Sequence, residues 1–132
     1  MKILIAEQDR DLLSCLEKLM TADGNDVRTC FDGARAVALI GDEKFDMAII
    51  DEDLPRANRF DIEKMMCEKV TPYIMLLWRR ATPKLLSKKA PLCSYLEFPF
   101  EPNDLISLAN GVCKKEKTNN TTLNEKAVMT DE

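Results

Sequence analysis

Hydrophobic residues along the first hundred positions follow two patterns, short continuous runs and longer segments with helical spacing. Continuous apolar runs of four or five residues are typical of strands buried on both faces, as in parallel sheets. Two of these runs end abruptly at an acidic residue, Glu7 or Asp51. The pattern predicts strong strands at residues 2–6, 47–50 and 73–77, and weaker ones at 27–30 and 95–97.

Segments with helical spacing separate these strands. The first helix is predicted where leucines and a methionine recur every three or four residues before Asp23-Gly24. Similar spacing predicts helices over 34–40 and 60–67, and a proline near the first turn predicts two more, after Thr82-Pro83 and after Glu101-Pro102. Five alternations of strand and helix predict a doubly wound α/β domain with a parallel sheet. Its ligands are expected beyond the carboxyl ends of the strands.

Composition narrows the class of protein. The 132 residues, 45% of them hydrophobic, suit one domain, and the polar stretch from residue 116 predicts a linker or tail over 116–132. A net charge of −4 gives no general attraction to nucleic acid or to an anionic membrane. Without an apolar leader or a membrane-spanning run, we expect a cytoplasmic protein.

Two residue types limit the chemistry. The chain has no histidine, which excludes Ser-His-Asp and Cys-His catalysis, and any phosphoryl group passing through the protein must come from another protein. Scattered cysteines without a C-x-x-C pair predict buried free thiols rather than disulfides or metal ligands. These are Cys15, Cys30, Cys67, Cys93 and Cys113.

Acidic residues cluster at the strand ends. Glu7 follows the first strand, and Asp51, Glu52 and Asp53 end the third. Three neighbouring carboxylates would form a site for Mg²⁺, which prefers carboxylate oxygens. The alternative is that these are solvated residues near helix N-termini, where negative charge is favourable.

Five segments together resemble the response-regulator receiver family over residues 2–115: KILIAEQDRDLL, DGARAVALI, FDMAIIDEDLP, TPYIML and YLEFPFEPNDL. The resemblance implies a flavodoxin-like sheet of order 2-1-3-4-5 with five helices. Asp51, four residues before Pro55, falls on the phosphoacceptor, and Glu7 falls on the first acidic metal ligand. Tyr95 matches the aromatic switch position, and Pro99-Phe100 matches the end of the Lys-Pro-Phe motif. A sensor histidine kinase is the implied phosphodonor.

Three positions depart from the family pattern. Gln8 stands where the family has its second metal-binding carboxylate, so we expect weak Mg²⁺ binding. Leu77 replaces the hydroxyl residue, and Phe98 replaces the lysine, that would hold a phosphoryl group. With less positive charge nearby, at least one carboxyl pKa should rise. Positive charge from an arginine would be needed to replace that of the lysine, and the candidates are Arg56, Arg59, Arg79 and Arg80. At positions 98–99 the chain keeps a proline, which permits a cis peptide.

We therefore expect a non-enzymatic, atypical receiver domain that signals by protein contact, with weak or absent phosphorylation at Asp51. The family implies a partner surface that includes Tyr95 and Trp78, beside lysines 84, 88 and 89. A homodimer is a further option that the sequence allows. The first alternative is a conventional Mg²⁺-dependent switch at Asp51. A remote alternative is a small phosphatase with Asp51 as nucleophile, but such enzymes carry their D-x-D motif on the first strand.

Overall fold

The computed structural model describes residues 1–77 and 92–117, with side chains described to residue 112. Strands and helices alternate through most of this part of the chain. The elements are β1 (Lys2–Ala6), α1 (Arg10–Ala22), β2 (Asp26–Cys30), α2 (Gly33–Asp42), β3 (Met47–Asp51), α3 (Arg59–Lys69), β4 (Tyr73–Leu77), β5 (Cys93–Glu97) and α4 (Pro102–Lys117). The predicted helix after Thr82-Pro83 and the tail from residue 118 lie outside the described residues.

The five strands form one parallel sheet in the order β2-β1-β3-β4-β5, which confirms the predicted topology. Every residue of β3 and β4 is buried, as their continuous apolar sequences predict. The strands with weaker sequence patterns, β2 and β5, lie at the two edges of the sheet and keep exposed or half-exposed residues. Edge position therefore explains why these two were harder to recognise.

Each face of the sheet carries its own hydrophobic core. Successive strand residues point to opposite faces, so Ile3 and Ile5 belong to one core while Leu4 belongs to the other. On the Ile3 face, the first and last helices pack through Leu16 and Leu105. The second and third helices cover the Leu4 face. Both cores consist of fully or almost fully buried side chains. This packing holds the strands in place, and with them the positions of the residues at their carboxyl ends.

Helix starts at this edge are capped by acidic or amide side chains. Asp9 Oδ1 accepts hydrogen bonds from the backbone N–H groups of Asp11 and Leu12, at 3.0 and 3.1 Å. Asn58 Oδ1 accepts one from Asp61 N–H at 2.8 Å. Such caps satisfy N–H groups that have no partner inside the helix. The loops after β1 and β3 are thereby anchored beside the strand ends.

The loop after β2 packs tightly against the loop after β3. The backbone N–H of Gly33 donates to the carbonyl of Pro55 at 2.7 Å. A Cβ atom at Gly33 would lie 2.5 Å from the Cβ of Ala57, so only glycine allows this approach without a shift. The contact fixes the rim of the edge where Asp51 lies.

Replacing Val70 by glycine is expected to stabilise the protein. Val70 ends α3 in the left-handed conformation, with φ 54° and ψ 49°, and its side chain is 64% exposed. This conformation is costly for a β-branched residue and is normal for glycine at a helix end. We expect the free energy of unfolding to rise by about 1 kcal/mol, measured by urea denaturation. Glu68→Gly, inside the same helix, is the control and should lower it by about 1 kcal/mol.

Candidate functional site

Two buried carboxyl groups meet at the carboxyl edge of the sheet. Glu7 follows β1 directly, and Asp51 is the last residue of the adjacent β3. Because Ala6 lies opposite Ile50 in the strand register, the next residue of each strand falls at the same level. Glu7 is 0% exposed and Asp51 is 1% exposed. Burial of two acids side by side is costly unless a cation or a proton lies between them.

Each carboxyl group is held by one backbone hydrogen bond. Glu7 Oε2 accepts from Asp9 N–H at 3.1 Å, and Asp51 Oδ1 accepts from Asp53 N–H at 2.9 Å. The second oxygens, Glu7 Oε1 and Asp51 Oδ2, are also buried, and no donor among the described residues reaches them. One oxygen of each acid is therefore left for a proton or a cation.

The pKa of Glu7 rises to about 8. Burial is the largest cause, and the hydrogen bond and charge interaction with Asp51 add to it, while the N–H of Asp9 partly opposes the rise. The predicted upward pKa shift at this site is thus confirmed. At neutral pH, Glu7 is therefore mostly protonated.

The third predicted carboxylate is not part of this pair. Asp53 is exposed, and among the described residues no group of three acidic, cysteine or histidine side chains is arranged to hold a metal ion. The Nε2 of Gln8 donates to the carbonyl of Asp53 at 2.9 Å. This bond ties the loops after β1 and β3 together. Asp53 contacts the pair through its backbone, because its N–H donates to Asp51 Oδ1 at 2.9 Å.

Leu77 and Phe98 both belong to apolar surroundings. Leu77 is 4% exposed and lies in the core on the Leu4 face. The backbone N–H of Phe98 donates to the carbonyl of Leu77 at 2.8 Å, which places the two residues side by side. The ring of Phe98 packs on the opposite core and lies 4.8 Å from the ring of Phe100. The peptide before Pro99 is cis, as the sequence allowed.

The described arginines are engaged outside the acidic pair. Arg56 Nε lies 3.9 Å from Asp32 Oδ2. Arg59 lies between two other acids, 3.8 Å from Glu52 and 3.7 Å from Glu63. Within the described ranges 1–77 and 92–112, no lysine or arginine forms an ion pair with Glu7 or Asp51. The other two predicted candidates, at positions 79 and 80, fall in the part of the chain that the structure leaves undescribed.

Of the predicted partner surface, only Tyr95 is described. It lies in β5, is half-buried, and packs against the core on the Leu4 face. Trp78 and the lysines at 84, 88 and 89 are outside the described residues.

A polar cluster that the sequence analysis missed lies between α3 and the edge of the sheet. Tyr73 is fully buried, close to the Glu63 carboxyl group and the Cys93 thiol. Burial first, and then these neighbours, raise the pKa of Tyr73, and burial raises the pKa of Cys93 to about 12. Both groups therefore stay protonated. Nothing in the apolar run at 73–77 distinguishes Tyr73 from an ordinary core residue.

The four cysteines with described side chains are all free, as predicted. Burial was predicted wrongly for two of them, because Cys15 and Cys67 are exposed on their helices. Their helical spacing places them beside the apolar stripe rather than within it.

No protein-family model matches the chain. The transcriptional regulatory protein CpxR of Klebsiella pneumoniae is 29% identical over 116 residues, which cover 86% of this chain and 50% of that protein. TcrA of Mycobacterium tuberculosis is 26% identical over 117 residues, covering 86% of this chain and 46% of that protein. The chain thus spans about half the length of the curated relatives it matches.

A solved structure of single-domain size decides the family. The receiver domain of the Francisella response regulator 1452 superposes with a TM-score of 0.77 at 26% identity, covering 87% of this chain and 98% of that domain. The chain belongs to the response-regulator receiver domains. The chemotaxis response regulator CheY4 of Vibrio cholerae, a second receiver relative, gives a TM-score of 0.74 at 25% identity, covering 84% and 97% of the two chains.

In the part of the chain that the structure describes, no helix has the length and apolar character needed to span a bilayer.

Proposed function

We propose that this receiver domain is an atypical one, which signals mainly by protein contact and takes a phosphoryl group on Asp51 weakly or not at all. The observation that carries the proposal is the environment of Asp51. Asp51 is buried beside the buried acid Glu7, and no cation of the described residues forms an ion pair with either group. Phosphorylation adds negative charge, which such a site would leave uncompensated.

The two residues that would bind a phosphoryl group in the family are apolar here. Leu77 offers no hydroxyl, and the ring of Phe98 packs against Phe100 on the far core. In enzymes, each positioned donor that stabilises developing charge contributes about 10²- to 10³-fold in rate. The loss of two donors leaves little catalysis of phosphoryl transfer to Asp51.

The acidic pair still suits a divalent cation. The two buried oxygens without donors, Glu7 Oε1 and Asp51 Oδ2, are hard ligands, and Mg²⁺ is commonly held by one or two carboxylates with water on its other positions. When bound, Mg²⁺ would neutralise charge at Asp51. Glu7 must lose its proton first, so binding should be weak at neutral pH and stronger above pH 8. The receiver domain of the Pseudomonas aeruginosa kinase PA1611, 19% identical, has a magnesium ion coordinated in its active-site cleft.

The proposed partners are proteins: a sensor histidine kinase, a downstream signalling protein or a second copy of the domain. CpxR and TcrA are transcriptional regulatory proteins of about twice this length. The chain, with a net charge of −4, has no general attraction to DNA, so any contact with DNA is assigned to another part of such a protein.

Titration with Mg²⁺ and then beryllofluoride, an aspartyl-phosphate mimic, tests the proposal. We expect weak Mg²⁺ binding at neutral pH and no saturable response to beryllofluoride, followed by two-dimensional amide NMR. Asp51→Asn should abolish the Mg²⁺ response, whereas the matched variant Asp53→Asn, which changes an exposed neighbour, should keep it. A saturable beryllofluoride response that Asp51→Asn removes and Asp53→Asn retains would establish a conventional phosphoacceptor switch instead.

A further inference from the structure

A chain of largely buried polar side chains runs beneath α3, from the carboxyl edge of the sheet toward its opposite edge. It begins at Glu52, which directly follows β3, and passes through Arg59 and Glu63 of α3. It ends at Tyr73 in β4 and Cys93 in β5, which lie opposite each other in the strand register. These five residues are called the α3 network below.

Two acids of the α3 network share one guanidinium group. Arg59 Nη1 lies 3.8 Å from Glu52 Oε1, and Arg59 Nε lies 3.7 Å from Glu63 Oε2. Both distances are too long for a hydrogen bond, so these contacts commit Arg59 to neither acid. The three side chains are only 14–24% exposed, so water and salt screen their charges less than at the open surface. A change of charge at Glu52 therefore shifts the balance of Arg59 between the two acids.

The far end of the α3 network depends on the Glu63 carboxyl group. Glu63 Oε2 and the Tyr73 hydroxyl are both buried, and neither has a hydrogen-bond partner among the described residues. The Glu63 carboxyl group and the Cys93 thiol are neighbours of the Tyr73 hydroxyl, and the charges of Glu63 and Arg59 also reach Cys93. Because buried polar groups without partners are costly, Tyr73 is expected to respond to any movement of Glu63.

The α3 network extends well away from the carboxyl edge. Asp51 lies opposite Leu76 in the sheet, and Tyr73 lies three residues earlier in β4. At about 3.3 Å per residue, Tyr73 is about 10 Å back from the level of Asp51. Cys93, opposite Tyr73, also contacts the side chain of Tyr95. The network thus joins the residue that follows Asp51 to the strand that carries Tyr95.

We propose that Arg59 is a positioning residue, which transmits a change of charge at the carboxyl edge of the sheet to β5. When the negative charge at Glu52 is reduced, Arg59 moves onto Glu63, and the contacts of Glu63 with Tyr73 change in turn. The apolar side chain at position 77 takes no part in this route. The proposal rests on the proposed function in taking β5 as part of a protein-contact surface, but its test needs no partner, metal ion or phosphoryl group.

Two-dimensional amide NMR of Glu52→Gln tests the transmission. The substitution removes one of the two acids that hold Arg59, so the amide signals of Tyr73 and Cys93 should shift. Asp53→Asn is the matched control, because it removes the same charge from an exposed residue next to Glu52. It should leave the Tyr73 and Cys93 signals in place.

Variants that break the α3 network in the middle should abolish this response. In the Arg59→Gln background, and separately in the Glu63→Gln background, adding Glu52→Gln should no longer shift the two signals. Circular dichroism verifies each fold, and the second background decides the question if the first variant unfolds. The proposal is overturned if Glu52→Gln gives no shift, if its shift persists in a folded background without Arg59 or Glu63, or if Asp53→Asn gives an equal shift.

Discussion

Restoring two side chains, by Leu77→Thr together with Phe98→Lys, is expected to raise the rate of Asp51 phosphorylation at least about 100-fold. The two residues lie side by side, since the N–H of Phe98 donates to the carbonyl of Leu77. A hydroxyl group at 77 would donate to a phosphoryl oxygen, and a lysine at 98 would supply a cation that none of the described residues gives to Asp51. The measurement is the rate of mass increase, by intact-mass spectrometry, with a small-molecule phosphodonor and saturating Mg²⁺.

The single variants separate the two contributions. Each should give part of the increase, and Asp51→Asn in the double-variant background should give none. Circular dichroism before the assay verifies that the variants fold. If the folded double variant stays as unreactive as the wild type, the missing donors are not the cause. Gln8→Asp, which adds a carboxylate beside Glu7, would then test whether the metal site limits the reaction.

The strand–helix order was predictable because it follows from local hydrophobic patterns. The buried central strand β3 is apolar up to its last residue, Asp51, and α1 shows its leucines at regular helical intervals. The strand order itself came from resemblance to a family, because nothing local in β2 or β5 says which neighbour each strand pairs with. Exposed positions in both edge strands also weaken the periodic signal.

The acidic pair was predictable for a similar reason. Parallel strands end at one edge of the sheet, so residues that follow β1 and β3 must lie close together. The sequence also indicated that a carboxyl pKa would rise, since it offered no lysine at position 98. Burial is the largest cause of the raised pKa of Glu7, and the neighbouring Asp51 carboxyl group adds to it.

Side-chain direction in the loops was not predictable. Asp53 is two residues beyond Asp51, yet it contributes its backbone N–H, and Gln8 donates to a carbonyl instead of facing the acids. Arg59 was a candidate partner for Asp51 but lies between Glu52 and Glu63. These outcomes depend on loop geometry, such as the close contact of Gly33 with Ala57, which no periodic pattern encodes.

Glu7→Gln is expected to remove most of the pH dependence of stability between about pH 4.5 and pH 8. The pKa of Glu7 is about 8 in the folded protein against an ordinary value of 4.5, so the folded form binds more protons in that interval. The stabilisation that comes from this proton uptake by Glu7 is therefore fully present below pH 4.5 and is lost as the pH rises through 8. Without Mg²⁺, the free energy of unfolding of the wild type should fall across this interval by on the order of 3 kcal/mol.

Glutamine keeps the shape of the side chain but carries no charge at any of these pH values. The variant should match the wild type near pH 4.5 and exceed its stability by on the order of 3 kcal/mol at pH 8.5, measured by urea denaturation at a series of pH values. Mg²⁺ at pH 8.5 should stabilise the wild type and have little effect on the variant, because one of the two carboxylate ligands is gone.

Glu43→Gln provides a control of opposite sign. The salt bridges of Glu43 with Lys2 and Arg28 lower its pKa, with the Lys2 contact as the largest cause. The stabilisation that the Glu43 carboxylate gives to the folded protein is therefore present at pH values above its ordinary pKa and is lost as the pH falls. Glu43→Gln should be less stable than the wild type at neutral pH, while its stability should still decline toward pH 8. If Glu7→Gln declined just as steeply over that interval, the proton taken up on folding would belong to another group.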